Sequence, residues 1–154
     1  MDRLSRAVIL FIAQGAGSGK SPIAPGTAGS CVGVVLYWGV KDLSVLSYGV
    51  VCIALCLLGT WAAGRAEELL GCKDCPSIVI DEIAGYLIAL FLIPFSWTAV
   101  VAAFFLFRFF DILKPWPLHD LQKIKGGPGV MLDDIGAGVY TNILLQTGVR
   151  LFIS

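Results

Sequence analysis

The chain has 154 residues, 57% of them hydrophobic and 14% charged, where an ordinary soluble domain is roughly half apolar and about a quarter charged. Eleven basic and eleven acidic side chains cancel, so no global field draws in nucleic acid and the balance argues against a nucleic-acid partner. With a mean hydropathy of +0.85 gathered into runs, the composition predicts an all-α, small multi-pass membrane bundle, a single domain over residues 1–154.

In Met1–Ala13 the apolar positions Leu4, Ala7, Val8, Phe11 and Ile12 recur at helical spacing beside Arg3 and Arg6. This pattern predicts a short interfacial helix, lying on the membrane and not cleaved as a signal peptide. Gln14–Thr27 reads as a glycine- and proline-rich loop. Its GAGSGKS segment, Gly15–Ser21, imitates a phosphate-binding loop but fails the GxxxxGK[ST] spacing, because Gln14 stands five residues before Gly19. No nucleotide is expected there, although the backbone amides are free in principle to hold a phosphate. Ala28–Val40, 13 apolar residues, suits a short or re-entrant helix, whereas Leu43–Gly64, 22 residues without a charge, is long enough to cross about 30 Å of hydrocarbon. Cys72 and Cys75 form a CxxC with no second pair and only His119 elsewhere. They read as two reduced thiols in a short loop, not as a metal site.

The charge-free run Ile83–Phe107 is interrupted by Pro94. A single tilted helix would strand Asp81 and Glu82 on one side of a bilayer and Arg108 and Asp111 on the other, at high cost. A hairpin of Ser77–Ile93 and Trp97–Leu113 brings Glu82 and Arg108 to one depth, with Asp81 and Asp111 close by. Ile135–Ile153 supplies a last crossing. Arg65, Lys73, Lys114, Lys123 and Lys125 fall in the loops at the end where these charges gather, which predicts that this end faces the cytoplasm.

The gathered charges carry the chemistry. Asp81 and Glu82 interrupt an apolar helix, where carboxylates cost several kcal/mol unless paired. Arg108, Asp111 and Lys114 follow at three-residue intervals, which suits either an intrahelical salt-bridge ladder or a catalytic face. One carboxylate is enough to cap a helix starting near Ile135, so of Asp133 and Asp134 at least one is left over. Five acids against Arg108 and Lys114 call for a cation, and an oxygen-only donor set favours Mg²⁺ over zinc. Arg108, Lys114 and glycine-loop amides suit a phosphate. The combination points to phosphate hydrolysis or transfer at a membrane surface.

Four ordered blocks, GSGKSPIAPGTAGS (Gly17–Ser30), IVIDEIAG (Ile78–Gly85), FRFFDILKPWPL (Phe107–Leu118) and GGPGVMLDDIGAGVY (Gly126–Tyr140), give a chain that resembles the phosphatidylglycerophosphatase A family. The resemblance implies a Mg²⁺-dependent enzyme of the bacterial inner membrane that removes the terminal phosphate of phosphatidylglycerophosphate, leaving phosphatidylglycerol and inorganic phosphate. Carried over by position, Asp81, Glu82, Asp133 and Asp134 are the expected metal ligands. Arg108, Asp111 and Lys114 form the expected catalytic block, with Arg108, Lys114, Thr27, Gly126 and Gly127 meeting the substrate. Asp111 is left as a positioning group, a general base or a nucleophile. Lys20, Cys72 and Cys75 stand outside the family pattern. The competing classes are a carboxylate-lined ion or proton carrier and a non-catalytic membrane scaffold.

Overall fold

A computed structural model describes residues 2–153 and, at Phe152 and Ile153, the backbone alone; Met1 lies outside it. The regular structure among the described residues is all helical, with no strand. The order is α1 (Arg3–Ala13), a 3-10 segment (Gly15–Lys20), α2 (Pro25–Val40), α3 (Val45–Leu70), α4 (Ile80–Ala89), α5 (Trp97–Leu113), α6 (Leu118–Leu121) and α7 (Gly127–Ile153). Among the described residues α3 alone is both long and apolar enough to cross a membrane by itself.

The helix expected over Ser77–Ile93 is much shorter than that. α4 has ten residues, about 15 Å or half a hydrocarbon core, so it does not cross alone. Upstream, the Val79 amide leaves the helical pattern to donate to the Ala13 carbonyl at 2.9 Å. Downstream, Leu90 to Ile93 close tight turns with Leu92 at φ 61°, and Pro94 has no N–H with which to continue.

This short helix is the centre of the bundle. Eight of its ten residues are buried, as expected of a helix that is apolar on every side beyond its first turn, and it packs chiefly on α7 and α2. The crossing with α7 is made of backbone: a Cβ on Gly138 would lie 2.3 Å from the Gly85 carbonyl oxygen, and one on Gly85 would lie 2.6 Å from that of Asp134. Small residues at such a contact let two helices approach without intervening side chains. The free carbonyls at the C-terminal end of α4 are satisfied from other helices. Asn142 Nδ2 donates to Ala89 O at 3.1 Å and Phe91 O at 2.7 Å, and the Tyr48 hydroxyl donates to Leu87 O at 2.8 Å.

α1 packs on α3 through buried Ile9 and Ala13 and leaves Leu4, Val8 and Phe11 exposed. One local expectation is corrected. The Gly15–Lys20 amides do not form an open cradle, because Gly17 and Gly19 both donate to the Gln14 carbonyl at 3.0 Å. Gly19 presses instead on the backbone of Ser77, where a Cβ would lie 2.0 Å from the carbonyl oxygen, so the segment braces the approach to α4. Cys72 and Cys75 lie side by side in the turn ahead of α4, with Cα atoms 5.7 Å apart.

Candidate active site

Three helices deliver charge to one end of the bundle. The first turn of α4 carries Asp81 and Glu82, the first half of α7 carries Asp133 and Asp134, α5 carries Arg108 and Asp111, and Lys114 follows α5 at φ 45°. Arg108 Nη1 lies 3.8 Å from Glu82 Oε1 and 2.6 Å from Asp111 Oδ2, so the α4–α5 hairpin does bring Glu82 and Arg108 to one level. Lys114 Nζ donates to Asp133 Oδ2. Burial works against the Lys114 charge, but the Asp133 carboxylate outweighs it and holds the ammonium pKa above its ordinary value.

With Asp111 on Arg108 and Asp133 on Lys114, three acids lack a cation of their own. Carboxylate oxygens of Asp81, Glu82 and Asp134 all lie within 4.8 Å of one another. Asp81 Oδ1, Glu82 Oε2 and Asp134 Oδ2 are buried without a hydrogen-bond partner. Buried carboxylates left in this state are costly, and the dipole at the start of α4 offsets only a small part of that cost. The donors are hard oxygens with no imidazole or thiolate among them, a set that fits a divalent cation such as Mg²⁺.

The start of α2 forms the remaining wall. Pro25 opens the helix after Ala24 at φ 48°, with no side chain capping it, as suits proline in a first turn. A Cβ on Gly26 would lie 2.3 Å from Glu82 Oε1 and 2.9 Å from Arg108 Nη1. Thr27, half-buried, is the next residue of that turn. Gly126 and Gly127 are placed differently: Gly126 turns the chain at φ 73°, and Gly127 packs on α3, its Cβ position 1.8 Å from the Thr60 carbonyl oxygen. His119 is exposed beside Asp120. The buried carboxylates among the described residues, Asp81, Asp133 and Asp134, all lie at this one end, and below them α4 continues as Ile83, Ala84, Tyr86 and Leu87.

A family model, phosphatidylglycerophosphatase A, matches residues 11–149. The chain belongs to the phosphatidylglycerophosphatase A family. Similar curated proteins include the Haemophilus influenzae phosphatidylglycerophosphatase A, 44% identical over 89% of this chain and 86% of the relative, and that of Escherichia coli, 36% identical over 93% and 81%. A Bacteroides thetaiotaomicron protein named provisionally a phosphatidylinositol-3-phosphatase is 40% identical over 88% of this chain and 90% of its own length. No solved structure matches. In this member of the family, sequence reasoning missed Gly26 as part of the site wall. The available signal was Pro25-Gly26 at the start of an apolar helix, a pair that removes both a capping side chain and a Cβ where another charged group must approach.

Proposed function

We propose that the chain hydrolyses the terminal phosphate of phosphatidylglycerophosphate, with Mg²⁺, at the cytoplasmic face of the bacterial inner membrane. The observation that carries this reading is the trio Asp81, Glu82 and Asp134, each with a buried carboxylate oxygen that has no partner, beside Arg108 at one end of the bundle. The names of the Haemophilus and Escherichia relatives support the substrate. For the membrane arrangement, α3 is joined in the bilayer by α2, α5 and α7, and Arg65, Lys73, Lys114, Lys123 and Lys125 near the acidic end favour the cytoplasm for that end.

Asp81, Glu82 and Asp134 would hold the ion, which when bound supplies Lewis-acid polarisation of a phosphoryl oxygen and orients water. Arg108 is the group that meets the phosphate's negative charge, and its planar fork suits two phosphate oxygens. Asp111, 2.6 Å from Nη1, fixes the guanidinium in that attitude and is assigned the positioning role. Lys114 adds a second positive charge, steadied by Asp133. In this arrangement Asp133 acts through Lys114 instead of as a ligand. Burial of the cluster excludes bulk water and strengthens each of these interactions.

The test is phosphate release by the purified protein from phosphatidylglycerophosphate, with Mg²⁺ and then with chelator. Release that stops on chelation supports the proposal, and metal-independent release overturns its cofactor. The Bacteroides relative makes phosphatidylinositol 3-phosphate the comparison substrate, and a preference for it would move the substrate assignment.

A further inference from the structure

The helices that deliver Gly26 and Arg108 to the site also form a groove that leads away from it. Between α2 and α5 lies an apolar channel of about 330 Å³, lined by Cys31 and Val34 on one side and by Trp97, Val101, Phe104 and Phe105 on the other. Arg108 is four residues beyond Phe104 on α5, and Gly26 is five before Cys31 on α2. The upper end of the groove therefore lies about one helical turn below Arg108. At its lower end Trp97 stacks on Trp38 at 5.3 Å, with Lys41 over the Trp38 ring. From Trp97 to Arg108 the helix rises about 16 Å, close to the roughly 15 Å hydrocarbon depth of one leaflet. The cleft between α1 and α3 is larger, about 730 Å³, but its lining of Leu4, Val8, Ile9 and Trp61 ends at Arg65, which is already paired with Glu68 and belongs to no part of the site.

We infer that the α2–α5 groove holds one acyl chain of the phospholipid monoester whose phosphate meets Arg108. This rests on the proposed phosphatase activity and adds where the lipid lies. Apolar walls that end one helical turn from a guanidinium match the two ends of such a molecule, and bulk inserted at Val34 or Val101 shortens the space for the chain without touching the charges.

Val101→Trp and Val34→Trp are compared with Leu57→Trp, which adds the same ring to an exposed position on α3. Two substrates are used: diacyl phosphatidylglycerophosphate in mixed micelles and the same headgroup with both acyl chains removed. The groove variants should lower the kcat/KM preference for the diacyl substrate by about tenfold, the scale of mismatched apolar fit, and Leu57→Trp should leave that preference as it was. An unchanged preference in both groove variants overturns the inference while leaving the phosphatase reading intact. Failure of the unaltered protein to release phosphate from either substrate overturns both. A second readout is independent of turnover: with Cys52, Cys56, Cys72 and Cys75 all replaced by serine, alkylation of the exposed Cys31 thiol by a maleimide should slow about fivefold with diacyl phosphatidylglycerol present, and not with glycerol phosphate. Equal alkylation with and without the lipid sinks the assignment.

Discussion

Replacing Gly26 with alanine tests the site wall with one methyl group. The added Cβ would stand 2.3 Å from Glu82 Oε1, where ordinary contact begins near 3.4 Å, and 2.9 and 3.1 Å from the two terminal nitrogens of Arg108. Relief therefore requires Glu82 or the start of α2 to retreat by about 1 Å, a misplacement that costs on the order of 100-fold in rate when it falls on positioned catalytic groups. The atoms that must move are the far ends of two flexible side chains, so the cost should fall on activity more than on stability. The assay is phosphate release at saturating Mg²⁺, with thermal unfolding measured on the same preparation. Gly39→Ala is the matched control, because it lies in the same helix with nothing within 4 Å of its Cβ position, and it should be stabilising by up to about 1 kcal/mol at unchanged activity. If Gly26→Ala folds and turns over at the native rate, Glu82 and Arg108 do not form the working site and the mechanism falls.

Asp134→Asn should reduce turnover at least about 100-fold, on the scale of removing a group that acts directly on the reacting centre. In the absence of metal it should unfold at a higher temperature than the native protein, since one of three repelling buried carboxylates is gone, and the stabilisation by Mg²⁺ should disappear; an undiminished Mg²⁺ shift in Tm would remove Asp134 from the ligand set. Lys114→Met strands the Asp133 carboxylate, whose side chain is 5% exposed, and should cost about 3 kcal/mol. The Lys114→Met, Asp133→Leu double variant should recover much of that loss in denaturant titration, and strict additivity would show that the two do not act as a pair. Asn142→Leu leaves the Ala89 and Phe91 carbonyls without their side-chain donor and should lower stability by about 2 kcal/mol, with unchanged thermal unfolding the contrary result.

Helix type and the gathering of charge were legible because both follow from local pattern. The amphipathic spacing of Arg3–Ala13 and the run ending before Lys114-Pro115 set α1 and α5 to within a residue or two. Pro94 and the cost of dispersed charges set the hairpin that joins Glu82 to Arg108. The length of α4 was not legible: Ile78, Val79 and Leu90–Ile93 are as apolar as the helix between them, and only a tertiary hydrogen bond from Val79 to Ala13 and the turn at Leu92 take them out of it. The same limit applies to the acids. Spacing showed five carboxylates facing two cations, but which acid each cation takes depends on where α7 meets α5, and that division separates Asp133 from the trio.

The glycine crossing between α4 and α7 bears on how the trio keeps its dimensions. Gly85 is four residues after Asp81, and Gly138 is four after Asp134, so the two peptide backbones meet one helical turn below the carboxylates they carry. Nothing compressible lies between them, and the separation of the acids is set by main-chain contact instead of by rotamers. A methyl group added at either glycine would act as a wedge below the ligands, changing the aperture for an ion while leaving every charged residue in the sequence untouched.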